Sequence, residues 1–260
     1  MAWYWIAIVV VSGLFIWFTL SAVLYRQFFK RFYDIVLSLI AIVFLSPLLI
    51  FLTVIGFIAL GGNPFFTQIR PGKKDAKSGQ EKLFRLIKFR TMTNKRDESG
   101  KLLPDEKRLT VYGKFLRKTS LDELPELFNI LIGDMSIVGP RPQLVKDMVF
   151  MTDEQRCRHN VRQGLTGLAQ VNGRNNITWE DKLKYDLQYI SHVTFWGDIE
   201  IILKTVVKVF QSADIVREGT ASDIDFGDWL LQEGKITQKE YDERLNLLRE
   251  YNEKKHFSKN

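Results

Sequence analysis

A single cysteine, Cys157, excludes a disulfide framework and any zinc site built on paired thiolates, and three scattered histidines do not assemble one in their place. No Walker or Rossmann glycine pattern stands at a strand-to-helix junction, so the ordinary nucleotide folds are not signalled and any nucleotide is held differently. Charge is missing over long stretches: none occurs from Met1 to Tyr25, and after the basic link "RQFFKRFYD" none occurs from Ile35 to Ile69. A cleaved secretory leader needs a charged start and a small-residue cleavage site, and the first segment has neither, so it reads as a retained helix. The lone cysteine suits a reducing, cytoplasmic setting for the rest.

What is present is enough for one substantial core with appendages: 260 residues, 46% hydrophobic and 26% charged. At about 1.5 Å per helical residue, Trp3 to Tyr25 is long enough to cross a hydrocarbon layer of roughly 30 Å. The second apolar run, "DIVLSLIAIVFLSPLLIFLTVIGFIAL", carries Ser46-Pro47 near its middle, where the proline deletes a helical hydrogen bond. A kinked span and a helix-break-helix that dips into the membrane and returns are both open. Arg26, Lys30 and Arg31 before it and Arg70, Lys73 and Lys74 after it place both ends on the cytoplasmic side and favour the re-entrant form. The net charge is +7, of which residues 217 to 260 contribute −2, leaving +9 on the main body. Such a body suits anionic lipid, nucleic acid or a phosphorylated substrate, and the apolar segments favour headgroups and phosphates.

In the soluble part, "NPFFTQI" and "LFRLIKFRTM" read as short strands on either side of a basic loop. "TSLDELPELFN" sets Asp122 and Glu123 side by side before a proline. Ser120 with Glu123 has the form of a capping box, so cap and chemistry compete there. "GDMSIVGPRPQ" stiffens a loop around Arg141, which lowers the entropic cost of fixing one guanidinium for a phosphate; a solvated turn is the rival. Asn172-Gly173 signals a hairpin turn with Arg174 at its rim. Two helices follow, "ITWEDKLKYDLQYIS" and "FWGDIEIILKTVVKVFQ", the second amphipathic and suited to a membrane interface or to a packed core. In the tail, Thr237 and Glu240 form a second possible capping box, with Tyr241, Leu245 and Leu248 along one face.

Taken in order, "FKRFYDIVLSLIAIVFLSPLLI", "FTQIRPG", "IKFRTM", "GKFLRKTSLDELPELFNILIGDMSIVGPRP" and "RHNVRQGLTGLAQVNGRN" resemble the bacterial sugar transferase family, the monotopic phosphoglycosyl transferases, and within it the short enzymes of the PglC type. The resemblance implies transfer of a sugar 1-phosphate, the sugar N-acetylated, from a UDP-sugar to undecaprenyl phosphate (a polyprenol phosphate), with release of UMP, as the first membrane step of glycan assembly. It implies Asp122 as nucleophile through a covalent aspartyl intermediate and Glu123 as ligand of Mg²⁺. Lys88, Arg141 and Arg174 become the phosphate-contacting cations, and Ser46-Pro47 the membrane helix break.

The expected fold is α/β, mostly helical and membrane-associated. Residues 1–25 form a transmembrane helix, 26–62 the basic link and re-entrant hairpin, 63–216 a compact cytoplasmic catalytic domain with short strands and interfacial amphipathic helices, and 217–260 a helical hairpin tail. The expected place is the bacterial inner membrane, catalytic domain on the cytoplasmic face. Expected partners are membrane lipid, the two substrates, and either a second copy or pathway glycosyltransferases through the tail; nucleic acid is not expected. The rival from another class is a non-catalytic membrane-tethered basic module that binds anionic lipid or nucleic acid, and UMP release separates the two.

Overall fold

The computed structural model describes residues 2–173, 177–211 and 224–257. Helix α1 (Ala2–Val23) contains no charged residue over 22 positions and is about 33 Å long. A π-helical turn, Tyr25–Phe29, leads into α2 (Lys30–Leu60). These two elements are joined to the body by buried polar contacts. Asp198 receives the hydroxyls of Tyr25 at 2.6 Å and Tyr189 at 2.9 Å and pairs with Lys30. Asp34 accepts Ser136 Oγ at 3.0 Å and the Ile137 amide at 2.9 Å.

Ser46-Pro47 does not interrupt α2, which stays helical through all 31 residues. Proline lacks the N–H that would bond the carbonyl four residues back, here that of Val43. The Ser46 hydroxyl donates to that same carbonyl at 2.8 Å. The serine hydroxyl thus stands in for the donor that Pro47 lacks, and the helical backbone carries on through the expected break. Both halves of α2 lie on the same body. Arg31 donates to the carbonyls of Ile130 and Leu131 at 2.6 and 2.9 Å at one end, and Tyr112 donates to the Leu52 carbonyl at 2.8 Å near the other. The outward side is apolar, with Val43, Phe44, Phe57 and Ile58 all at least 60% exposed. Soluble proteins rarely leave such a stripe uncovered, and the chain is membrane-associated.

The expected strands form an antiparallel hairpin, β1 (Phe65–Lys74) with β2 (Glu81–Phe89), in a register that sets Phe66 against Lys88. Next come α3 (Asp105–Arg108), α4 (Val111–Thr119) and α5 (Glu126–Ile132), then β3 (Met135–Val138), α6 (Val145–Met148), β4 (Gln163–Thr166) and α7 (Leu168–Val171). β3 and β4 pair in parallel, so the stretch before Asn172-Gly173 is not a hairpin. That dipeptide ends α7 instead, the Asn172 side-chain Nδ2 donating to the Leu168 carbonyl at 2.8 Å. α8 (Trp179–Ser191) and α9 (Phe195–Gln211) follow as the periodicity predicts. α9 buries Ile201 and leaves Trp196, Leu203 and Val207 exposed.

The tail contains α10 (Phe226–Gln232) and α11 (Gln238–Phe257). The Thr237–Glu240 capping box forms, with the Thr237 amide to Glu240 Oε2 at 2.8 Å and the Glu240 amide to Thr237 Oγ1 at 3.3 Å. The helices cover an apolar cluster of Phe150, Met151, Trp179 and Leu183, with Phe226 2% exposed. The partner surface that two short helices require is supplied by the body of the same chain.

Candidate active site

Asp122 and Glu123 occupy a 3₁₀ turn, Leu121–Glu123, between α4 and α5. α4 stops because Ser120 takes left-handed backbone, φ 56°, alone in this among the described non-glycine residues. Ser120 makes no side-chain capping bond, and α5 begins only after Pro125. The expected Ser120–Glu123 capping box is absent because the Glu123 carboxylate is engaged by two cations, a stronger claim than a backbone amide makes. Successive residues of a 3₁₀ turn diverge by about 120°, so the two neighbouring acids face different surroundings.

Lys88 reaches the dyad from β2. Asn129 of α5, fully buried, accepts the Ile87 amide at 3.0 Å and donates to the Arg85 carbonyl at 2.8 Å. That amide acts as a rivet between the strand and the helix, and the next strand residue, Lys88, arrives 2.8 Å from Glu123 Oε1 and 3.1 Å from Glu126 Oε1. Arg141 reaches the same Glu123 oxygen at 2.5 Å. Its loop is clamped to β4: Gly139 donates to the Thr166 carbonyl and Gly164 to the Pro140 carbonyl, each at 2.8 Å. A Cβ at Gly139 would fall 2.4 Å from the Arg162 carbonyl, so no larger residue fits there. Arg158, wholly buried against Asp186 at 2.7 Å, donates to the Arg141 carbonyl at 2.6 Å and fixes the backbone beneath it. Of the five expected chemical residues, four converge; Arg174 lies outside the described residues.

The charges act on one another. Burial, then the neighbouring Glu123 charge, pushes Asp122 up to about 6, which leaves it mostly ionised at neutral pH yet more basic than a free carboxylate. Burial opposes ionisation of Glu123 too, but Arg141 and Lys88 prevail and hold it well below the usual range. Glu126, buried and near Glu123, is pushed up to about 7 even with Lys88 alongside. The acids thus divide into one held firmly as an anion and two with raised proton affinity.

The dyad opens on a groove of about 960 Å³. Its lining includes apolar side chains of α9, Ile202, Val206 and Val209, and polar ones, Gln143, Lys182 and Asp225. Arg70 also lines it, donating to the Pro142 carbonyl at 3.2 Å and pulled down to about 10 by burial first and Arg141 second. Sequence reasoning missed Glu126, Asn129, Arg158, Asp186 and Arg70 as members of the site. An amide inside the apolar run "ELFNILI" was a signal for Asn129. The Arg158–Asp186 pair is separated by 28 positions, and no local pattern links such distant residues.

No group of three or more His, Cys, Asp or Glu side chains forms a metal cage among the described residues. Mg²⁺ does not need one, since it keeps several waters and binds through one or two carboxylates and substrate phosphates. Both cations converge on Glu123 Oε1, so Oε2 is the atom the carboxylate can offer to Mg²⁺; this donor set fits.

A fold with a long, outward-facing apolar helix, and an acid dyad held among cations in a groove, defines a membrane-associated, group-transferring enzyme that handles anions. The sequence profile described as "Bacterial sugar transferase" matches residues 25–212, and the chain belongs to that family. It is similar to the "Uncharacterized sugar transferase EpsL" of Bacillus subtilis (strain 168), 44% identical over 186 residues, covering 72% of this chain and 89% of that protein. It is 36% identical over 202 residues to the "Undecaprenyl-phosphate galactose phosphotransferase" of Salmonella typhimurium, covering 71% of this chain and 41% of that protein. The "UDP-glucose:undecaprenyl-phosphate glucose-1-phosphate transferase" of Klebsiella pneumoniae is 38% identical over 192 residues, covering 70% of this chain and 40% of the relative. The chain thus spans most of the first relative's length and about two fifths of the other two.

Proposed function

We propose that this enzyme transfers a sugar 1-phosphate from a UDP-sugar to undecaprenyl phosphate through a phosphosugar carried on Asp122. The convergence of Lys88 and Arg141 on Glu123, next to a carboxylate of raised basicity, is the observation that supports this most. An Asp122 oxygen attacks the sugar-bearing phosphorus, the bond from that phosphorus to the bridging oxygen breaks, and UMP leaves with the bond's electrons. An oxygen of undecaprenyl phosphate then attacks the same phosphorus and the acyl–phosphate bond breaks. Asp122 returns as carboxylate and the lipid carries a diphosphosugar. Lys88 and Arg141, released from Glu123 toward the substrate, neutralise phosphate oxygens that would repel an anionic nucleophile. Glu123 would hold Mg²⁺, which when bound supplies further charge neutralisation at the diphosphate.

Membrane placement follows the same lines. Arg31 and Tyr112 fasten the two halves of α2 to one charged body, and a span that put those halves on opposite faces would pull that body apart. The re-entrant arrangement, with the body on the cytoplasmic face of the inner membrane, meets this constraint. The donor sugar is galactose, glucose or an N-acetylated hexose. Asp122→Asn should release no UMP from any UDP-sugar, because an amide does not form the acyl phosphate, and mass spectrometry of trapped wild-type enzyme should place a phosphosugar on the Asp122 peptide. An adduct elsewhere, or full turnover by the Asn variant, sinks the assignment.

A further inference from the structure

The tail lies beyond residues 25–212, which define the family, yet it reaches the groove that starts at Asp122. Ile224 and Asp225 line that groove. They are held there by specific bonds: Trp179 Nε1 donates to the Ile224 carbonyl at 3.0 Å, Asp225 pairs with Lys146, and the Phe226 amide donates to Asp147 Oδ1 at 2.9 Å. Asp147, 1% exposed, accepts the Leu144 amide on its other oxygen at 2.9 Å. Leu144 stands three positions from Arg141, so one buried carboxylate ties the tail to the loop that carries the phosphate-facing guanidinium. Behind these contacts, Phe226 packs on Trp179 with ring centres 5.0 Å apart, Tyr241 stacks on Phe150 at 5.3 Å, and Arg244 donates to the Phe150 carbonyl at 3.2 Å.

We propose that Ile224 and Asp225, held in place by Phe226, form a wall of the donor pocket, so that the tail sets affinity for the UDP-sugar, both by facing it and by steadying the Arg141 loop through Asp147. This rests on the assignment of the groove as a sugar-nucleotide site. The donor is favoured over the lipid because Asp225 of the tail, and Lys182 over the Trp179 ring that holds Ile224, are polar lining groups, while Ile202, Val206 and Val209 all come from α9 and suit an isoprenoid chain. Phe226 acts as a positioning residue and Asp225 as a specificity residue.

The test uses the full chain in detergent, with Asp225→Ala, Phe226→Ala and, as a control, Leu247→Ala on the exposed side of α11. UDP binding is read by calorimetry, and KM values by UMP release with UDP-galactose, UDP-glucose and UDP-N-acetylglucosamine. Asp225→Ala and Phe226→Ala should each weaken UDP binding or raise the donor KM by about tenfold, with the KM for undecaprenyl phosphate held within about twofold and the control unchanged. Limited proteolysis should show the Phe226→Ala tail released. Unaltered UDP affinity and donor KM in both variants, or an equal rise in both KM values for Asp225→Ala, overturns the proposal. Should Phe226→Ala fail to fold, Asp225→Ala decides alone. If wild-type enzyme releases no UMP from all three donors, the transferase assignment fails, and UDP calorimetry on Asp225→Ala still decides the role of the tail.

Discussion

The Lys88 ammonium stands between two carboxylates, 2.8 Å from Glu123 and 3.1 Å from Glu126. Those acids and the neighbouring Asp122 otherwise face one another with Arg141 as the nearest cation. Lys88→Met keeps the length of the side chain and removes its charge. Turnover should fall by about a hundredfold to a thousandfold, the scale set by losing one preorganised group that stabilises developing charge. Steady-state UMP release measures it; a loss under fivefold would assign the work to Arg141 alone.

Asn129 predicts a coupled loss. Asn129→Leu leaves the Ile87 amide and the Arg85 carbonyl without their partner in a buried place, at a cost of about 2–4 kcal/mol. Because the same bonds set where Lys88 sits, turnover at a temperature where the variant remains folded should drop as well. Thermal unfolding and UMP release on one preparation separate the two effects. Full activity in a destabilised protein would show that β2 holds its register without the rivet.

His159 contributes stability that acid removes, against the opposite contribution of Asp122 and Glu126, whose raised proton affinity favours the folded chain as pH falls. The ring is wholly buried beside Glu81, Nδ1 to Oε1 at 3.2 Å, and is pulled down to about 4, burial being the main cause. The unfolded chain, with a histidine near 6.5, takes the proton first, so this contribution is intact above that pH and lost as pH falls from 6.5 to 4. Glu81 adds to it: burial opposes its ionisation, but His159 and Arg156 hold it below its ordinary 4.5, so its contribution drains away below that value. The histidine step amounts to about 3 kcal/mol. The difference between wild-type and His159→Gln unfolding midpoints at pH 7, 5.5 and 4 measures it, and the advantage of the wild type should shrink as pH falls from 6.5 to 4.

Ser46 and Pro47 should behave as a pair. Ser46→Ala in the presence of Pro47 removes the donor that reaches the Val43 carbonyl at 2.8 Å, and should lower stability by about 1 kcal/mol. In the Ser46→Ala, Pro47→Ala double variant the backbone N–H returns to that carbonyl, and stability should recover. Cysteine labelling at the flanks of α2 in membranes reports topology: labelling of both flanks from one face is expected for wild type, and labelling from opposite faces would show a true span.

Two stretches, Ser120 to Glu123 and Thr237 to Glu240, have the same capping pattern, and the chain uses it once. At Thr237 the glutamate is bonded within its own turn, local hydrogen bonding wins, and the sequence determined the outcome. At Ser120 the glutamate meets Lys88 and Arg141, which stand 35 and 18 positions away, so tertiary structure decided. The same division runs through the molecule. Uncharged runs, strand alternation and the α9 stripe are properties of neighbouring residues, and they fixed the apolar helices α1 and α2, the β1–β2 hairpin and α9 by themselves. The motifs named Lys88, Asp122, Glu123 and Arg141. That Glu126 shares Lys88, that Arg158 and Asp186 hold the Arg141 loop, that Ser46 replaces the donor missing at Pro47, and that the tail docks on its own body depend on contacts between distant positions. Such contacts exist only once hydrophobic burial has closed the chain on itself, because the energy of an ion pair or a buried amide bond is realised where water has been excluded.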